Sequence, residues 1–153
     1  MTKKVTFSGM GCAISVVILL MTNIFPFNTA FLLCAASAIF PIIKIKCSTG
    51  YAWAAVFVSA VLSFILLAEK IYVFTFSFLA IYSVLKGLIE KLDCAWAEWL
   101  IKIAAYFAGA FIVLKIFIPA MLWQGIFAGV VIFVIYDIMI SIFVTFARRK
   151  FKI

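Results

Sequence analysis

Twenty consecutive residues, Val5 to Ile24, carry no charged side chain, and long apolar runs with few charges recur along the rest of the chain. A helix of about 20 apolar residues crosses a hydrocarbon layer about 30 Å thick. Further runs cover Thr29–Ile43, Gly50–Ala68, Ile71–Ile89, Ala97–Ile118 and Ala120–Ala147. The composition agrees: 69% of the 153 residues are hydrophobic, 12% are charged and 18 are Phe. A soluble chain averages about a quarter charged residues, and one core of this size would leave the surplus apolar surface as sticky patches. A soluble globular enzyme is excluded, as is a disordered chain, which needs low hydrophobicity.

The expected fold is therefore all-α: a polytopic membrane protein, one domain over 1–153, built as a six-transmembrane-helix bundle with spans at about 5–24, 29–43, 50–68, 71–89, 97–118 and 120–147. The first run follows the basic start Met1-Thr2-Lys3-Lys4, but no small-x-small cleavage site follows it. It reads as a retained span rather than a signal peptide. Pro41 sits within the short second run, Glu69-Lys70 separates the third from the fourth, Pro119 separates the fifth from the sixth, and Arg148-Arg149-Lys150 closes the sixth. With both termini inside, eleven of the thirteen basic residues fall on the inside, leaving only Lys70 and Lys115 outside. That asymmetry is what the positive-inside rule predicts. It also accounts for the net charge of +8 without nucleic acid.

Residue counts remove several chemistries. The chain has no His and five acidic residues: Glu69, Glu90, Asp93, Glu98 and Asp137. Triads and His-bearing zinc sites are excluded. Cys12, Cys34, Cys47 and Cys94 show no CxxC spacing; they read as free thiols, two in apolar segments and two in polar loops. Neither a metal nor a cofactor is expected. No Walker motif is present, so any ATP hydrolysis would belong to partners.

Polar residues inside spans are the informative ones, because they are expensive in hydrocarbon. Asp137 lies eleven residues before Arg148, about 16 Å along a helix at about 1.5 Å per residue, and so near mid-membrane. A lone charge there costs about 2.5–3.5 kcal/mol, so it must be paired, protonated or turned to protein or water. Lys86 and Lys102 are the candidate partners. Tyr82, Lys86 and Glu90 stand four apart and share a helix face. With Tyr136 they make a candidate intramembrane polar cluster: Tyr82, Lys86, Glu90, Lys102, Tyr136 and Asp137. Two readings stand, coupling or proton work on one side and a buried ion pair that fixes helix packing on the other.

Small residues mark close helix approach. Gly9 and Ala13 stand four apart at the inner end of the first span, and Gly125 and Gly129 do the same in the sixth. Each pair serves either internal packing or subunit docking. At the outer face, Asn23, Asn28, Trp123 and Gln124 form either a ligand mouth or ordinary loops. Trp96 and Trp99, in the longest polar stretch, read as headgroup-level anchors.

The order of these features over nearly the whole chain resembles the S components, the membrane-embedded substrate-binding subunits of energy-coupling-factor transporters. The resemblance rests on the basic start, the small-residue motif of the first span, the Pro-bearing first turn, the short second span and Ser48-Thr49-Gly50-Tyr51-Ala52 opening the third. Tyr82-Ser83-Val84-Leu85-Lys86-Gly87-Leu88-Ile89-Glu90 and Val134-Ile135-Tyr136-Asp137 look like signatures of S-component-like membrane proteins of Gram-positive bacteria. The resemblance implies a non-enzymatic, multi-pass protein of the bacterial plasma membrane that binds a small vitamin-like ligand near its outer face. It also implies docking through the first helix, here Gly9 and Ala13, on a membrane coupling subunit served by two cytoplasmic ATPases. Glycine partly replaces the family's usual alanines, and the outer loops are trimmed. The competing expectation is a non-transporting scaffold or assembly subunit of a larger envelope complex.

Overall fold

A computed structural model describes residues 2–89, 107 and 122–151. Every element among the described residues is helical: α1 Thr2–Ile24, α2 Thr29–Ser37, α3 Ile39–Lys46, α4 Thr49–Leu66, α5 Lys70–Ile89 and α6 Leu122–Phe151. The expected span at 97–118 lies outside them except for residue 107.

Among the described residues, four stretches are long and apolar enough to cross a membrane: α1, the α2–α3 pair over Thr29–Lys46, α4, and Gly129–Phe146 of α6; α5, expected as a span over 71–89, is not one of them. Their surfaces invert the soluble pattern. Phe57, Ile65, Ile142 and Phe146 are exposed, while Ser15, Ser37, Ser63 and Lys86 are buried. Apolar groups outside and hydrogen-bonded polar groups inside are what lipid demands of a bundle.

The chain's breaks have local causes. Phe25 precedes Pro26 and takes a non-helical conformation, with φ −119° and ψ 75°, because the proline ring disfavours α backbone in the residue before it. A single 3-10 turn, Pro26–Asn28, then reverses the chain into α2. The break between α2 and α3 falls at Ala38, three residues before Pro41. Pro41 has no N–H for the carbonyl of Ser37, and its ring crowds that carbonyl. At the α4–α5 turn, Lys70 Nζ donates to the carbonyls of Phe64 at 2.6 Å and Leu67 at 2.9 Å. These are helix-end carbonyls without an intrahelical donor.

Helix α1 packs against α4, α2 and α3, and α3 also meets α4 directly. Its buried face is Ser8, Gly11, Cys12, Ser15, Val16, Leu19 and Thr22. Ser8 Oγ donates to the Tyr51 carbonyl at 3.3 Å, Cys12 Sγ to Ala55 at 3.3 Å, and Ser15 Oγ to Ala36 at 3.1 Å. Small donors thus carry the helix contacts, with Ala52, Ala55 and Ser59 answering from α4. A Cβ at Gly11 would lie 2.7 Å from Ile43 Cδ1 and 3.3 Å from Ile39 Cγ2, so α3 packs directly on the glycine and any larger side chain there would have to displace Ile43. Leu19, Phe40, Phe76 and Ala80 are fully buried in the core, and the rings of Phe40 and Phe76 tilt together at 5.9 Å.

Four lysines gather at one end. Cys47 Sγ donates to the Lys4 carbonyl at 3.5 Å, and Lys46 Nζ stands 4.7 Å from the centroid of the Phe7 ring. The end of α3 therefore meets the start of α1, bringing Lys3, Lys4, Lys44 and Lys46 into one region. Cys47, expected in a polar loop, is instead buried where α3 ends.

Candidate functional site

The polar cluster forms where α2, α5 and α6 meet. Helix α5 presents Leu79, Tyr82, Ser83 and Lys86, with Tyr82 and Ser83 each three or four residues from both Leu79 and Lys86 and so on one face. Helix α6 brings Phe133, Tyr136 and Asp137. Phe133 sets the approach: its ring packs edge-on to Tyr82 at 4.7 Å and lies 6.5 Å from Phe78. One turn further on, Asp137 meets Lys86.

Lys86 Nζ donates to Asp137 Oδ1 and to the Asp137 backbone carbonyl. Tyr82 Oη donates to the same carboxylate oxygen at 2.6 Å. The Lys86 side chain is 2% exposed and that of Asp137 17%. A buried cation and anion in contact leave no net charge to hydrate, and the tyrosine adds a charge-assisted hydrogen bond. The cost of Asp137 at depth is thus met by its neighbours.

A second set of hydroxyls continues the network toward α2. Tyr136 Oη and Ser37 Oγ lie 2.7 Å apart, and Tyr136 Oη also donates to the Leu79 carbonyl at 3.1 Å. Ser83 Oγ lies 3.3 Å from the Ser37 carbonyl and 2.8 Å from that of Ala80. The first contact answers Pro41, since Ser37 is the carbonyl the proline cannot serve. Nearby, Lys44 Nζ donates to the Val84 carbonyl at 2.8 Å, tying α3 to α5.

Of the six residues anticipated for the cluster, Tyr82, Lys86, Tyr136 and Asp137 come together, while Glu90 and Lys102 lie outside the described residues. Sequence reasoning missed Ser37 and Ser83. The available signal was the spacing: Ser37 is four residues before Pro41. The arrangement joins three helices by directional bonds that run from side-chain donors to backbone carbonyls, to one carboxylate and, between Ser37 and Tyr136, from hydroxyl to hydroxyl. Chemically it can hold charge and fix helix register.

Gly9 and Ala13 lie elsewhere. Both are exposed on α1, and a Cβ at Gly9 would meet nothing within 4 Å. The close-approach glycine is Gly11, two residues from Gly9 and on the opposite side of the helix. At the end away from the lysines, Asn23 and Asn28 are exposed, and Trp123 and Gln124 lie in the first turn of α6. An apolar groove of about 240 Å³ runs between α2 and α6, lined by Phe31, Cys34, Ala38, Tyr136, Met139 and Phe143 among others.

Compared with known proteins, the chain matches no family model, no curated protein and no solved structure.

Proposed function

We infer that the chain is a substrate-binding or transporter-like membrane subunit of the S-component kind. It crosses the bilayer six times with both termini in the cytoplasm, takes a small vitamin-like ligand near its outer face, and works docked to a membrane coupling subunit served by two cytoplasmic ATPases. The observation that carries this reading is the outward presentation of Gly9 and Ala13 on α1. Two small residues four apart on an exposed helix face let another helix approach closely, and the family resemblance assigns docking to these positions. Collection of Lys3, Lys4, Lys44 and Lys46 at one end of the bundle supports an inside N-terminus, since cytoplasmic segments carry the excess of Lys and Arg.

The filled core along α1, α4 and α5, with Leu19, Phe76 and Ala80 fully buried, favours a second reading, a scaffold subunit of an envelope complex. Gentle purification followed by native mass spectrometry separates the two. A transport subunit brings down a membrane coupling protein and ATPases, or retains a small ligand. A scaffold brings down envelope-assembly proteins and no ligand. Gly9→Leu with Ala13→Leu should abolish the coupling complex; an unchanged complex sinks the docking assignment.

A further inference from the structure

Helices α1 and α4 run side by side in the same direction. Cys47, just before α4, meets Lys4, then Ser8 meets Tyr51 and Cys12 meets Ala55, a ladder that climbs both chains in four-residue steps. The two helices end together, α1 at Ile24 and α4 at Leu66. Two turns therefore lie at one level, at the end of the bundle away from the four lysines, and their surfaces are opposite in chemistry. The α4–α5 turn buries its apolar residue, with Leu67 at 2% exposure, and presents Glu69, while Lys70 serves the carbonyls that end α4. The α1–α2 turn does the reverse. Phe27, on the single 3-10 turn, is 100% exposed, and Ile24, Phe25 and Phe31 around it are exposed as well. No side chain from Val5 to Ile43 is charged, and the exposed amides of Asn23 and Asn28 flank the rings.

We propose that the α1–α2 turn is seated in the lipid leaflet, with the Phe25 and Phe27 rings among the acyl chains just beneath the headgroups and the Asn23 and Asn28 amides at headgroup level. Depth decides the occupant. The helix from Lys4 to Ile24 is about 30 Å long at about 1.5 Å per residue, which matches the about 30 Å of a hydrocarbon layer. With Lys4 at one boundary, Ile24 reaches the other. Glu69 and Lys70 mark that same boundary from the neighbouring turn. A phenyl ring held there gains by leaving water for the acyl chains, and the apolar side chains of interfacial segments sit about 5–10 Å into the boundary. The turn carries no charge of its own, so its seat does not select lipids by headgroup charge. The proposal is independent of any transport role.

The test uses the full chain in lipid nanodiscs, with para-trifluoromethyl-phenylalanine in place of Phe27, read by fluorine NMR. The substitute keeps the ring and so the fold. A nitroxide on the lipid acyl chain just below the headgroup should broaden the Phe27 signal several-fold more than a water-soluble gadolinium chelate does. The contrast should be the same in phosphatidylglycerol and in phosphatidylcholine. The same probe at Phe57, exposed on the middle of α4, should answer instead to a nitroxide near the end of the acyl chain, and at the fully buried Phe76 to none of these reagents. Stronger broadening of the Phe27 signal by the chelate would put the turn in water. Broadening by neither reagent would put it under protein, whether a second copy or another part of this chain. Either result, or a lipid contact confined to phosphatidylglycerol, would overturn the proposal.

Discussion

Asp137 and Lys86 are each other's reason for being tolerable at depth. Removing one partner strands the other, and breaking a buried pair in this way costs about 3–5 kcal/mol. Lys86→Met should therefore lower unfolding stability in detergent by that order, and Asp137→Asn should do so by less, because Lys86 keeps the Asp137 backbone carbonyl. The double variant should be more stable than the sum of the two losses implies; strict additivity would show that the pair is not coupled. The glycines offer a second contrast. Gly11→Leu forces a side chain into Ile43 and should cost about 1–3 kcal/mol, the usual range for overpacking. Gly9→Leu meets open space and should leave the melting temperature unchanged. The charge pairing was legible in the sequence because an acid in an apolar run must find a base, and only two lysines were within reach. Ser83 was not legible, since a serine in a helix costs little and its hydroxyl usually returns to its own backbone, whereas Ser37 was marked only by its place four residues before Pro41. The different roles of Gly9 and Gly11 were equally hidden: a small-residue motif gives a spacing, while the neighbour that fills the space comes from another helix.

Among the elements, the α2–α3 pair repays closest study. Pro41 breaks the helix at Ala38 and leaves the Ser37 carbonyl to Ser83 on α5. Ser83→Ala should cost about 0.6–1.7 kcal/mol, the span measured for interhelical hydrogen bonds in membranes. Pro41→Ala supplies a backbone N–H in its place, so in that background Ser83→Ala should cost almost nothing. A thermodynamic cycle on the four proteins reads this directly, and an undiminished Ser83 effect would dissociate the proline from the serine. Helix existence was legible here from the apolar run and its punctuation. The extension of α3 through Lys44-Ile45-Lys46 was not, because the lysines looked like a boundary. Their long stems allow a basic residue to continue a helix and still carry its charge elsewhere; Lys44 does so by reaching the Val84 carbonyl. Likewise α6 continues through Arg148-Arg149-Lys150 to Phe151 rather than stopping before them.

For the whole molecule, long apolar runs and composition were enough to anticipate helices long and apolar enough to cross a membrane, because the bilayer leaves few other solutions. The proposed arrangement of both tails in the cytoplasm makes a direct prediction. Protease sites appended at the two ends should both be protected in right-side-out vesicles and both cut in inverted ones. Opposite behaviour of the two ends would change the span count from even to odd. Partner identity was not legible at this scale, for a docking face is defined as much by what covers it as by its own residues.

The interrupted second crossing bears on how the protein is made. Its two pieces, nine and eight residues long, each fall well short of the about 20 needed to traverse the bilayer alone. The tertiary bonds from Ser15 to Ala36 and from Ser83 to Ser37 draw donors from helices synthesised both before and after this segment. The hydrogen bonds that hold residues 29–46 in the bundle are therefore complete only when both α1 and α5 are present, and a chain truncated before Lys70 should hold this segment less tightly than the whole protein, as the accessibility of Cys34 to a thiol reagent would read.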